Sequence, residues 1–187
     1  MHIKKEPKYK GRNKAALAKF IAILSSLNPN NIVFCDEVGV DDNITVLHGW
    51  AEKGMRSYAE QRGYKAKRVS IVAGYIRGSK ELIAPMEYSG YTDKVLFNYW
   101  IETQLCPVLK EGQCVVMDNA SVHKSPLVNE LITKAKCTLI YLPAYSPDLN
   151  PIEHCWANFK KYLRKIIKNF NKLGNAITEA ISKTLSG

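Results

Sequence analysis

Three acidic side chains stand where a folded chain can bring them together. Asp36 ends the apolar run I-V-F-C-D, Asp118 ends a second, V-V-M-D, and Glu153 opens the stretch I-E-H-C-W-A-N-F after a Pro-rich turn. Acids delivered at strand ends and at a helix start make a site for divalent cations. Hard cations prefer carboxylate oxygens, and magnesium keeps several waters while taking a few protein ligands plus phosphate oxygens. Clustered carboxylates repel one another, and a bound cation relieves that cost. Two ions about 4 Å apart can activate a water or sugar hydroxyl and stabilise the leaving oxygen of a phosphodiester.

Each acid also has a structural reading. Asp36 can be a turn former. Glu153 lies three positions after Asn150, where a capping-box Glu gains about 0.3–1 kcal/mol from the helix dipole. Asp148 competes as a third acid, but its Ser-Pro-Asp setting favours a bond to its own backbone. Strand alternation puts Asp36 and Glu37 on opposite faces, and Asp36 is chosen because Asp118 ends its strand in the same way. Asn119 and His123 follow Asp118 closely. His123 can contact DNA, a phosphate or a carboxylate, or simply pack as a neutral ring.

The surrounding charge suits a polyanion. Net charge is +10, from 27 Lys+Arg against 17 Asp+Glu, and the surplus is clustered. One group spans Lys4 to Lys19, a second Lys53 to Arg68, and a third holds Lys160, Lys161, Arg164, Lys165, Lys168 and Lys172. Basic patches around an acidic centre can hold a nucleic acid during metal-assisted chemistry. A solvated basic face is the plainer alternative. The five cysteines are odd in number with no C-x-x-C pair, which predicts buried reduced thiols rather than a zinc site.

The elements that must position these residues are readable in outline. At 187 residues and 46% hydrophobic content, the chain can build one domain with a real core. No apolar run is long enough to span a membrane, and no signal peptide follows the basic start, so a cytosolic protein is expected. Residues 13–27 show helical spacing at Leu17, Phe20, Ile21 and Leu24. Strands are predicted over 32–35, 44–48, 68–77, 81–88, 114–118 and 138–142, with 114–118 central because it lacks alternation. Thr92 caps a predicted helix to Leu105 that buries Val95, Tyr99, Ile101 and Leu105. Another starts at Ser125-Pro126 with Leu127, Leu131 and Ile132 inward. Asn150 is the predicted cap of a helix whose stripe is Ile152, Trp156, Phe159 and Leu163. A last helix over 169–182 is expected to break near Gly174.

The motifs V-M-D-N-A-S-V-H-K and Y-L-P-A-Y-S-P-D-L-N-P-I-E-H-C-W resemble those of DDE transposases of the Tc/mariner superfamily, in particular its bacterial insertion-sequence branch. The 34 residues between Asp118 and Glu153 match that superfamily's spacing. F-C-D-E-V-G-V resembles its first-acid segment, and H-G-W-A-E-K-G-M-R its W-A-P-K-G-type loop, with Glu52 where proline is usual. The resemblance spans about residues 30–165. It implies an α/β, RNase H-like fold, a mixed central sheet flanked by helices. It implies catalytic and metal-binding roles for Asp36, Asp118 and Glu153, with Asp36 bridging two Mg²⁺ ions and Mn²⁺ able to substitute. It implies DNA contacts from Trp50, Lys53, Arg56, Asn119, His123, Lys124, Lys160, Lys161 and Arg164.

The implied activity is cleavage of DNA at transposon ends, then attack of the freed 3′-hydroxyl on target DNA, commonly at a TA step. A homodimer acting at the bacterial nucleoid is the implied setting. The expected division is a basic segment over 1–29, the catalytic domain over 30–168 and a helical tail over 169–187. Relatives carry N-terminal helix-turn-helix modules, and there is no room for them before Asp36. The expectation is a split, frameshifted, truncated or trimmed product, with a separate helix-turn-helix polypeptide or frameshift fusion as partner. Two other readings stay open: an RNase H-like nuclease without strand transfer, and a remnant that binds DNA or full-length transposase without chemistry.

Overall fold

The computed structural model describes residues 11–41 and 68–185. The strand expected over 44–48 and the loop carrying Trp50, Lys53 and Arg56 lie outside them.

Five strands form one mixed sheet, β1 (Ile32–Asp41), β2 (Arg68–Ile76), β3 (Glu81–Ser89), β4 (Cys114–Met117) and β5 (Thr138–Tyr141), in the order β3-β2-β1-β4-β5. β1, β2 and β3 pair antiparallel, while β1–β4 and β4–β5 are parallel. This is the mixed sheet that the resemblance implies. The centre is β1 rather than the expected 114–118. β4 is nonetheless buried along its length, which is why it carries no alternation.

Helices cover both faces. Ile32, Phe34, Val38 and Val116 share a core with α1 (Lys14–Ser26), α4 (Ile152–Ile166) and α5 (Leu173–Leu185). Val33, Cys35, Val115 and Met117 share the other with α2 (Lys94–Trp100) and α3 (Pro126–Lys134). Period-two alternation along β1 and β4 divides the two sets. The α4 stripe is as predicted: Ile152, Trp156, Phe159 and Leu163 are all buried. α5 runs unbroken through Gly174, and its Ala176, Ile177, Ala180 and Ile181 join the first core, as do Phe20 and Leu24 of α1.

The second helix departs from expectation. Asp93, not Thr92, caps it, accepting from the Leu96 amide. Val95 and Tyr99 are exposed, and Phe97 and Trp100 take the core. The larger rings win the buried side, and the Trp100 indole finds the Ala84 carbonyl at 2.8 Å. A π-turn over Ile101–Leu105 then keeps Ile101 and Leu105 inward. In α3, Val128 and Ile132 are buried while Leu127 faces outward. All five cysteines are free; Cys35, Cys114 and Cys137 are buried as predicted, while Cys106 and Cys155 are only half-buried. Among the described residues, no helix is long and apolar enough to cross a membrane.

Candidate active site

Strand register sets the first two acids side by side. Phe34 pairs with Val116 in parallel. Two residues further on come Asp36 and Asp118, on the α4 side of the sheet. Asp118 follows the end of β4, but Asp36 does not end its strand as expected, because pairing with β2 carries β1 on to Asp41. Glu153 reaches the same place from the first turn of α4. The three acids line one cleft of about 250 Å³, with Asn119, Tyr145 and Asn150 among the other walls. Adjoining it is a cleft of about 450 Å³ where Lys160 joins Asp36 and Glu153.

Asp36 carries the least compensated charge. Burial raises its pKa from 3.8 to about 7, and the neighbouring carboxylates of Glu37, Asp118 and Glu153 add to the rise. Burial also raises Glu153, with Asp118 and Asp148 pushing the same way. Asp118 is lowered instead, because His123 holds it.

His123 is the second centre of the site. Its ring is 1% exposed, with Nδ1 2.6 Å from Asp118 Oδ1 and Nε2 3.1 Å from both oxygens of Glu37. Burial alone would lower the imidazole pKa. The bonds to Asp118 and Glu37 outweigh it and lift the value to about 10. Phe97 packs on the ring at 4.4 Å between centroids, and Tyr141 donates to the His123 carbonyl at 2.9 Å. The loop folds back on itself to bring this about. Asp118 Oδ1 accepts from the Ala120 amide at 2.8 Å, and the His123 amide bonds the Ala120 carbonyl. The expected DNA contact from His123 is therefore corrected: both ring nitrogens are occupied and no edge reaches solvent.

Asn119, Lys124, Lys161 and Arg164 have other settings. The Asn119 amide donates to the Leu142 carbonyl, tying the two long motifs together. Lys124 is exposed and lies 6.0 Å from the Tyr141 ring centre. Lys161 is exposed on α4, and Arg164 is half-buried on the same helix.

Two residues were assigned differently from sequence. Asn150 makes no side-chain cap for α4. Its Nδ2 lies 3.5 Å from Asp36 Oδ2 instead. Asp148 does not bond its own backbone but takes both oxygens to Arg12 Nη2, at 2.7 and 2.9 Å. Arg12 Nε also donates to Ser146 Oγ at 3.0 Å, which straps the Pro-rich turn to the start of α1. Glu37 alternates to the other face of β1 from Asp36, as predicted, and bonds His123, which links it to Asp118. Nothing local in the sequence signals such a partner 86 positions away. The expectation that the two acids share no site is corrected, because Glu37 also lines the 450 Å³ cleft beside Asp36 and Glu153.

The donor set suits a hard divalent cation. It is all oxygen, and among the described residues no Lys or Arg lines the 250 Å³ cleft, while Asn150, which does line it, has its Oδ1 buried without a hydrogen-bond partner. Among the described residues, both bonds of Asp118 fall on Oδ1, which leaves Oδ2 for a ligand. Among the described residues, no three His, Cys, Asp or Glu side chains close on a single point.

The chain is similar to known proteins in sequence and in fold. A 49-residue stretch, 26% of this chain, is 37% identical to the Tcb2 transposase of Caenorhabditis briggsae and covers 18% of that protein. The solved Mos1 transposase paired-end complex with left transposon end superposes with a TM-score of 0.62 at 14% identity, over 98% of this chain and 65% of that one. The Mos1 strand transfer complex gives 0.66 at 13% identity, over 100% and 59%. The sheet and its flanking helices thus have the RNase H-like fold. The chain spans less than two thirds of the length of each of these relatives. DDE transposases work with divalent metal ions. The family described as DDE superfamily endonuclease matches residues 31–174, and with its acids gathered at one end of this sheet the chain belongs to that superfamily.

Proposed function

We propose that this chain is the catalytic domain of a Tc/mariner-type transposase of the bacterial insertion-sequence branch. It would cut DNA at transposon ends and join them to target DNA, commonly at TA. The observation that carries this reading is the common cleft of Asp36, Asp118 and Glu153, reached from three separate elements. In the proposed division, 30–168 form the catalytic unit, flanked by 1–29 and 169–187. The partners would be a second copy of the chain and a helix-turn-helix polypeptide, separate or fused by frameshift, acting at the nucleoid.

When bound, two Mg²⁺ ions, or Mn²⁺ in their place, supply a more acidic water or hydroxyl and neutralise the charge that builds on the leaving oxygen. The protein's part is positional. Asp36, which feels the charge of both Asp118 and Glu153, would serve both ions. Asp118 would present Oδ2 while His123 and the Ala120 amide fix its Oδ1. Glu153 would close the site from α4. Lys160, beside Asp36 and Glu153, would take a DNA phosphate. Lys124, Lys161 and Arg164 would add further phosphate contacts. Asn119 would border the strand from the cleft wall, and Trp50, Lys53 and Arg56 would add a clamp on DNA or the partner subunit. In the reaction an oxygen of water, then of the freed 3′-hydroxyl, bonds phosphorus. The bond from phosphorus to the leaving oxygen breaks, and that oxygen takes a proton.

The test is a labelled transposon-end fragment incubated with plasmid and Mg²⁺. Joined product supports transposition, cleavage alone supports a nuclease, and binding alone supports a remnant. Asp118→Asn is expected to abolish nicking while leaving the fold intact, and unchanged nicking would reject the assignment.

A further inference from the structure

Asn150 is 4% exposed and lines the cleft of the three acids. A residue of this type before a helix ordinarily turns its oxygen to the helix amides. Here α4 has no side-chain cap. Only the Asn150 backbone serves the helix, its carbonyl accepting from the Glu153 amide at 3.2 Å. The side chain is diverted, with Nδ2 3.5 Å from Asp36 Oδ2 and Oδ1 buried without a partner among the described residues.

That arrangement has a cost and an orientation. A buried acceptor left unpaired costs about 1–3 kcal/mol, and native folds seldom carry one without a use. An ionised Asp36 only accepts, so the amide nitrogen must face it and the oxygen must take the other side. Once ionised, the acids that line the cleft with Asn150 offer that oxygen no donor. Hydrated magnesium does, because several of its waters stay bound and point hydrogens outward.

We propose that Asn150 is a positioning residue for the cation: its Oδ1 accepts from a water of the ion's shell while its amide steadies Asp36. A neutral carbonyl adds an acceptor without adding a fourth negative charge to the cluster. This role rests on the cation-holding reading of the cleft. Outer-shell partners of this kind are commonly worth about 10–100-fold in metal affinity.

The test is Ca²⁺ titration of the full 187-residue chain, followed by thermal unfolding without DNA. Asn150→Ala is expected to raise the Ca²⁺ concentration at the midpoint of the thermal shift by about tenfold or more. It should also raise the Mg²⁺ needed for half-maximal nicking by a like factor, with the rate recovering at high Mg²⁺. Asn150→Asp, which keeps the oxygen and adds charge, should lower stability without Ca²⁺ and lower the Ca²⁺ midpoint. A residue that merely starts the helix would change the unfolding temperature but leave the midpoint in place. An unmoved midpoint in Asn150→Ala, or in Asn150→Asp should the first variant not fold, overturns this role. Loss of the shift in Asp36→Asn alongside that result leaves the cation site standing. No shift in the parent chain overturns both.

Discussion

His123 joins Asp118 to Glu37. One ring nitrogen takes an oxygen of the first at 2.6 Å, and the other takes both oxygens of the second at 3.1 Å. Two N–H donors require an imidazolium. The ring thus carries a positive charge beneath a cluster of acids and removes one rotational freedom from Asp118.

This clamp has a pH signature. The folded pKa is about 10 against an ordinary 6.5. The folded state keeps a proton that the unfolded chain gives up, so the group's stabilisation is complete below pH 6.5 and is lost as pH rises through about 10. Urea unfolding at pH 6, 8 and 9.5 should show falling stability in the parent chain. His123→Gln should be less stable at pH 6 and show a flatter decline. Parallel declines in both would count against the charged ring.

Asp36 behaves in the opposite sense to an ordinary salt-bridged acid. Its folded pKa near 7 lies above the usual 3.8, so without cation its contribution to stability falls as pH rises from about 4 through 7. A cation must displace that proton. The Ca²⁺ midpoint should drop by up to about tenfold per pH unit below 7 and level off above it. Titrations at pH 6, 7 and 8 check this, and a midpoint independent of pH would mean that Asp36 is not a ligand.

Lys160 lines the cleft beside Asp36 and Glu153. If it takes one phosphate, Lys160→Ala should weaken DNA binding on any sequence and reduce the slope of log affinity against log salt by about 1. Fluorescence anisotropy across a salt series reads both. An unchanged slope would place the lysine off the DNA path.

Phe159 is fully buried on α4, two turns below Glu153. Phe159→Ala should cost about 3–5 kcal/mol in denaturant unfolding. Because the same helix delivers Glu153, cation affinity should weaken in the folded fraction as well. A destabilised variant with the parent's Ca²⁺ midpoint would show that α4 is held by its remaining contacts.

Local periodicity carries much of this structure. Ile152, Trp156, Phe159 and Leu163 announce α4 because a helix face repeats within a few residues. Asp36 and Glu37 separate by alternation alone. What escapes is anything decided at a distance. Val95 and Tyr99 fit a helical stripe, but competition from Phe97 and Trp100 for the same core is visible only once β3 is in place. Asn150 has a cap's composition and position, and a carboxylate 114 positions away claims its side chain. Asp148 looks self-bonded until Arg12 arrives from 136 positions away.

The three acids ride on unequal supports. Asp36 belongs to the middle strand, where it pairs with Ala73 of β2, while Glu153 is the second residue of α4, at the helix end. Core strands open last in hydrogen exchange, and element ends fray earlier. The site therefore comes apart in sequence: the glutamate is released first, and the central aspartate holds its place until the whole sheet melts.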